Sequence, residues 1–470
     1  MSKEKPFSHP YIPNTVPEIK SEMLKRIGVS DIEELFQAIP ENLRFKGKLK
    51  LPKPYLSEYE LKRHVLSILS KNKTCESNLN FLGGGCWQHY VPAVCNEING
   101  RSEFLTAYGG TSYNNLGRFQ AHFEFQSLMG ELLDMDVVSV PTYSWGTAAG
   151  YAIRMATRLT QRNEVLVSKT INPEHLAVIK TFCSSANGSN RIEIKLIDYH
   201  TKTGLTNLHD LRSKISSSTA AIYIENPTYL GTIESQGQEI SDIAHTYGGI
   251  SLVGVDPITL GVLKPPAHYG ADIVVGTAQT LGIHMNCGGG TIGFIASRDE
   301  EPYIAEYPLF LYSITDTLEE GEYGFGNCTF ERTSYVGREK AKDWVGTVSG
   351  LWTITAAVYM ALMGPQGFRD IGRSIIQRSH YATKLLSEIK GVKILFGDQF
   401  FKEFIVNFDE ANRTVRTVND ALLNDNIFGG KDLSSEFPEL GNSSLYCITE
   451  MHTEEDIHKL VHSLKKVLGK

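Results

Sequence analysis

The stretch Ile250-Ser-Leu-Val-Gly-Val-Asp-Pro257, followed by Ala271-Asp-Ile-Val-Val-Gly-Thr-Ala-Gln-Thr280, decides how this chain is read. Each half holds a short run rich in Val and Ile, bounded by Gly, Pro and Asp, which is the signature of a buried strand. The first run ends on a carboxylate, Asp256, set just before a proline.

Working outward, similar runs recur at 136–140, 164–168, 192–197, 220–225 and 291–296. Most are separated by helix-length segments with turn residues, which predicts a largely parallel sheet covered by helices. The 272–275 and 291–296 runs, around Gly288–Gly290, are too close for an intervening helix and predict an antiparallel pair. Upstream, residues 1–80 read as a helical arm with Pro-bearing linkers. Ser30-Asp31 leads a periodic stretch that ends at Pro40, and Ser57 and Glu60 are spaced as a capping box. Downstream, a helical region over Ala341–Met363 is broken by Gly364-Pro365, and Gln377–Ile389 is a further helix. Runs at 392–396, 403–408 and 445–449 then alternate with helices, the last over Thr453–Leu468. The predicted organisation is an arm (1–80), a large α/β domain (81–345), connecting helices (346–390) and a small α+β C-terminal domain (391–470). That is the layout of the pyridoxal-phosphate (PLP)-dependent transferase, aspartate aminotransferase-like fold.

Composition narrows the classes. With 470 residues, 46 basic against 53 acidic and a formal charge of −7, the chain has no net basic character, and no nucleic-acid partner is predicted. Its seven cysteines form no CxxC pair, which fits reduced thiols rather than a disulfide framework or a zinc site. The N-terminal residues show no signal-peptide pattern, and the longest apolar run, 351–363, is too short to span a bilayer. A cytoplasmic protein without membrane association is expected. His458 and His462 have HxxxH spacing without an HExxH motif, so no metal is predicted.

Fold does not decide chemistry, so the site must be read from its residues. A PLP site needs a carboxylate to hold the ring nitrogen protonated, a lysine to form the imine, and backbone amides for the phosphate. Asp256 fits the first role; its alternative is a turn Asp before Pro. The lysine is missing: between Lys264 and Lys340 there is none, and position 279 is a glutamine. An amide nitrogen, its lone pair delocalised, does not condense with an aldehyde. Lys264, only eight residues after Asp256, is poorly placed. The scaffold of a PLP enzyme is thus predicted without its cofactor-holding group, with Asp256 as a remnant of the ring-nitrogen partner.

A resemblance covers nearly the whole chain. Tyr11-Ile-Pro-Asn-Thr15, Asp31-Ile-Glu-Glu-Leu-Phe36, Phe81-Leu-Gly-Gly-Gly85, His89-Tyr-Val-Pro-Ala-Val94, Glu103-Phe-Leu-Thr-Ala-Tyr108, Phe123-Glu-Phe-Gln126, Tyr143 with Gly146-Thr147-Ala148, Asp256-Pro257 with Leu260-Gly261, and Arg338-Glu-Lys-Ala341 occur in order. In these the sequence resembles the alpha subunit of the glycine cleavage system P-protein family. The resemblance implies a glycine dehydrogenase (decarboxylating) of alpha and beta chains. In it the beta subunit binds PLP covalently and this chain carries no covalent cofactor. It also implies decarboxylation of glycine, with the aminomethyl group passed to the lipoyl arm of H-protein. The sequence departs from the family pattern at Gly109–Gly117 and Lys342–Thr347, where the alpha chain is expected to meet an active site. It departs again before residue 310, where a Gly-Arg-Leu/Val-Val-Gly segment is missing. Two alternatives stand beside this reading: a non-catalytic assembly or regulatory paralogue, and a self-sufficient PLP enzyme using another lysine.

No catalytic residue is assigned. Candidate lining residues are His89 and Tyr90, on a loop after Gly83–Gly85; Tyr108, Tyr113 and Asn114, which flank Gly109-Gly110; and Tyr143. Ser144–Ala148 opens a helix after a strand, and capping is the expected use of its polar side chains rather than phosphate binding. Gly288–Gly290 is expected to be a tight, closely packed turn.

Overall fold

The structure, a computed structural model, describes residues 8–469 apart from 48, 106–111, 140, 185–190, 289–290, 310, 329–331, 334–336, 338–340, 344 and 346–349. The side chains of 112–117 are also outside the described set. The chain divides into two units, Met1–Asn72 and Lys73–Lys470.

In the first unit, helix Pro17–Ile27 begins on a proline, whose missing N–H costs nothing there, and ends at the left-handed Gly28. The stretch after Asp31 is a 3-10 helix, Ile32–Ala38, closed by a full capping box with Glu34. Ser57 accepts from the Glu60 amide at 3.1 Å and starts helix Glu58–Leu69, but only this half of the predicted box forms.

The second unit is built on a seven-stranded sheet. In spatial order its strands are Val137–Val138, Gly293–Ser297, Ile273–Thr277, Ile250–Val255, Thr219–Glu225, Glu164–Ser168 and Glu193–Ile197. The last five run parallel, while Gly293–Ser297 is antiparallel to Ile273–Thr277, as its short connection requires. Side chains alternate between two cores. Leu166, Ile222, Val253 and Val274 pack on one face, and Val165, Tyr223, Leu252 and Val275 on the other. Both faces are covered, which is why these strands read as continuous apolar runs rather than as alternating ones.

Three expectations need correction. The 136–140 run forms only the pair Val137–Val138 within its described residues. The helices expected over 341–363 and 377–389 are one element, Gly350–Ser387, kinked where Gly364 leaves helical geometry (φ 57°, ψ −178°). Pro365 sits in the first turn of the second arm, the position proline tolerates, so helix resumes at once instead of at Gln377. In the C-terminal sheet (Lys393–Ile394, Glu403–Asn407, Ser443–Cys447, Lys431–Asp432) the first strand stops at Ile394. Phe396 (φ 66°) and Gly397 (φ 79°) turn the chain away there. The hairpin Tyr312–Asp316 with Tyr323–Asn327 had no counterpart in the sequence reading. Helix Glu454–Leu468 starts at Thr453, in a capping box with Asp456.

Candidate active site

Asp256 emerges from the carboxyl end of strand Ile250–Val255 and caps the 3-10 helix Pro257–Gly261. It is 3% exposed. Its Oδ1 accepts from Thr280 Oγ1 at 2.8 Å and from the Ile258 amide at 3.3 Å. Its Oδ2 accepts from Lys402 Nζ at 2.7 Å. Asp256 is one half of a buried ion pair, with both side chains 4% exposed.

Lys402 lies just ahead of strand Glu403–Asn407 in the C-terminal sheet. Its ammonium also stands 3.5 Å from the centroid of the Trp87 ring and 3.2 Å from His89 Nε2. An ammonium only donates, so Nε2 accepts and the proton of the imidazole sits on Nδ1. That Nδ1 faces Glu450 Oε2 at 2.8 Å, while Glu450 Oε1 accepts from the Tyr90 amide at 2.7 Å. Burial works to raise the Glu450 carboxyl; contact with His89 and the Tyr90 amide outweighs it and holds it below the usual carboxylate range. A continuous chain results: carboxylate, ammonium, imidazole, carboxylate.

Gln279, where the imine lysine was sought, is 1% exposed and fully engaged. Its Nε2 donates to the carbonyls of Ile283 (3.0 Å) and Trp87 (3.2 Å), and its Oε1 accepts from the Trp87 amide at 3.4 Å. The amide ties together backbone that a lysine could not join in the same way, because an ammonium has no acceptor.

A cavity of about 30 Å³ remains, walled by Trp87, Trp145, His175, Tyr229, Asp256 and Lys402. That is room for a water or two. On its far wall Trp145 Nε1 donates to Tyr223 Oη (3.0 Å), Tyr223 donates to Glu225 (3.0 Å), and His175 Nδ1 lies 2.7 Å from Glu225. Glu403 is buried beside it, accepting from the Gly84 amide at 2.7 Å, and burial pushes its carboxyl up. Gly84 and Gly85 both have positive φ (111° and 108°), and a Cβ on Gly85 would meet Asn172 Nδ2 at 2.5 Å. The glycine triplet thus lets the Trp87–Tyr90 segment pass close to the sheet.

PLP, the group this fold implies, does not fit these residues. Its ring nitrogen would need an Asp256 that is already paired, and its aldehyde would need an amine where the bound Gln279 amide stands.

His89 is turned inward onto Lys402. Tyr90 and Tyr143 have exposed rings (61% and 45%). Tyr113 and Asn114 fall in the first turn of helix Ser112–Leu133, their side chains outside the described set, and Tyr108 lies outside the described residues. Ser144 caps helix Trp145–Thr160 in a capping box with Thr147, as expected. Gly288 (φ 84°) does turn the chain, but among the described residues nothing lies within 4 Å of its missing Cβ, so they give no sign of close packing there; Gly289 and Gly290 lie outside the described residues. Of the altered 342–347 segment, Lys342 pairs with Glu306, and Asp343 Oδ1 accepts from Arg154 Nε at 2.7 Å. Among the described residues no group of three His, Cys, Asp or Glu is placed to hold a metal, and no helix is long and apolar enough to cross a membrane.

Lys402 and Glu403 were missed by sequence reasoning. The available signal was two charged residues between Phe400-Phe401 and Phe404-Ile-Val406, inside a run that otherwise reads as buried strand.

Fold and site together define a member of the PLP-dependent transferase (fold type I) class whose own cofactor-type cavity is closed. Two solved structures under 25% identical share that fold: a sphingosine-1-phosphate lyase of Burkholderia pseudomallei (14% identity, TM-score 0.64, 92% of this chain and 95% of that one) and the cysteine desulfurase CsdA of Escherichia coli (14%, TM-score 0.62, 84% and 96%). A family model described as glycine cleavage system P-protein matches residues 9–464. The chain is 40% identical, over 98% of its length and 99% of the relative's, to a probable glycine dehydrogenase (decarboxylating) subunit 1 of Staphylothermus marinus. It is 37% identical to the protein of the same description in Saccharolobus solfataricus (98% of each). A crystal structure of glycine decarboxylase (P-protein) of the glycine cleavage system, in inhibitor-bound form, superposes with a TM-score of 0.82 at 31% identity, covering 98% of this chain and 100% of that one. The chain belongs to the glycine cleavage system P-protein family.

Proposed function

We propose that this chain is the subunit of a two-chain glycine dehydrogenase (decarboxylating) that carries no PLP of its own and completes the active site of a beta partner. The observation that carries this reading is the occupied Asp256: Lys402 lies 2.7 Å from its Oδ2, and both side chains are 4% exposed. The names of the relatives, each a subunit 1, support a second subunit. The partner would hold the cofactor covalently through a lysine at the position of Gln279. The assembled enzyme would take glycine and lipoylated H-protein as substrates, in the cytoplasm. PLP in the partner would supply the electron sink for the carbanion left by departing CO2. This chain would shape and enclose the site, with Tyr90 and Tyr143 as exposed side chains suited to facing it and Tyr108, Tyr113 and Asn114 as further lining candidates.

A self-sufficient enzyme using another lysine is disfavoured by geometry. In PLP the aldehyde is para to the ring nitrogen, so one amine is not placed both to take the aldehyde and to touch the carboxylate that serves the nitrogen. Lys402 does the latter.

The test is co-expression with a homologous chain carrying the lysine, followed by glycine–bicarbonate exchange in the presence of H-protein. Exchange from the pair and from neither chain alone is expected. Full exchange from the partner alone would assign this chain an assembly or regulatory role, and exchange from this chain alone would overturn the reading.

A further inference from the structure

The ammonium of Lys402 is saturated by the protein itself. It has three N–H bonds, and three acceptors of different kinds surround it: Asp256 Oδ2 at 2.7 Å, His89 Nε2 at 3.2 Å and the face of Trp87 at 3.5 Å. These acceptors come from separate parts of the chain. Asp256 follows a central strand, Trp87 and His89 follow the glycine triplet, and Lys402 leads into the C-terminal sheet. A carboxylate, an aromatic face and an imidazole acceptor are what a small organic cation requires.

From this we infer that the cofactor-type cavity of this chain is a cation site filled in cis, with Lys402 as the built-in occupant that joins the C-terminal sheet to the central one. The ligand class of the site is a primary alkylammonium, and the chain supplies it covalently. Lys402 is a positioning residue: its charge holds Asp256, His89 and Trp87 in place, and its stem fills space that would otherwise admit a ligand. The consequence reaches beyond the absence of a cofactor. The site keeps its recognition chemistry and is closed only by one side chain, so shortening that side chain should open it to a free cation of matching size.

Chemical rescue of the full-length chain tests this. Lys402→Ala should lower the thermal midpoint; n-propylammonium chloride should raise it again, while n-propanol of the same length, with sodium chloride added to equal ionic strength, should not. Neither compound should move the wild-type midpoint. An alanine variant that melts with wild type, or rescue by propanol equal to that by propylammonium, overturns the inference. Should Lys402→Ala fail to fold, Lys402→Met and Lys402→Met/Asp256→Asn take its place. The double variant should melt above the single one, because it no longer buries an unpaired carboxylate; a double variant no better than the single one overturns the inference. None of these readouts needs a partner chain, so the outcome is independent of the subunit reading.

Discussion

His89 Nδ1 lies 2.8 Å from Glu450 Oε2, and its other nitrogen lies 3.2 Å from the Lys402 ammonium. One imidazole therefore relays between a carboxylate after the last C-terminal strand and a cation just before an earlier one. The relay makes buried Asp256, Lys402 and His89, with the partly exposed Glu450, a single polar unit in which each donor has an acceptor. Such units are costly to break from one side, because the group left behind is buried without its partner.

Asp256→Asn removes the negative charge and leaves Lys402 with a neutral amide. A loss of about 3–5 kcal/mol is expected, the range for breaking one side of a buried pair. Urea unfolding at neutral pH, with free energy extrapolated to water, measures it.

Gln279→Lys restores the residue type that the imine requires but should not restore the cofactor. Asp256 stays paired with Lys402, and the new ammonium has no acceptor to offer the Trp87 amide. With added PLP, no visible imine band removable by borohydride should appear, and the thermal midpoint should fall. A stable band would show that Gln279 alone blocks binding.

His122 is buried, with its ring stacked on Tyr312 and Nδ1 3.1 Å from Thr353 Oγ1. Burial, helped by the positive charge of Arg118, lowers its pKa from 6.5 to about 4. The unfolded chain therefore binds more protons between these values, and stability should fall as pH drops from about 6.5 toward 4. The loss amounts to roughly 3 kcal/mol at most. Denaturant midpoints of the wild type and of His122→Gln across this window should converge at the acid end.

Gly85→Ala forces a Cβ into a left-handed backbone position and against Asn172 Nδ2 at 2.5 Å. A cost of about 1–3 kcal/mol is expected. Unfolding of the alanine variant by urea, compared with wild type, reads it directly; a variant as stable as wild type would show that the segment shifts freely.

Much of the architecture was legible along the chain. Strands buried on both faces left unbroken Val/Ile runs, so Ile250–Val255 and Ile273–Thr277 were found within two residues of their ends. The short Gly-rich connection announced the antiparallel partner Gly293–Ser297. Elements whose limits depend on local geometry were less visible. The kink at Gly364 looked like a helix end, because a sequence marks a helix-breaking residue without showing that helix resumes at Pro365. The turn that shortens the strand at Lys393–Ile394 begins at Phe396, one residue ahead of Gly397, the residue that marks it in the sequence.

The candidate site divides along the same line. Sequence alone determined that Asp256 ends a central strand and that no lysine follows it at imine spacing, since both depend on residues close together in the chain. It also carried the family, through the order of motifs from Tyr11 to Ala341. Only tertiary structure decided that Asp256 is paired. Lys402 lies 146 positions away, just ahead of a strand of the other sheet, and no residue near it in the chain points to Asp256. Sequence spacing reports contacts made through the backbone, whereas a buried ion pair is made through space by sheets that meet only in the folded chain.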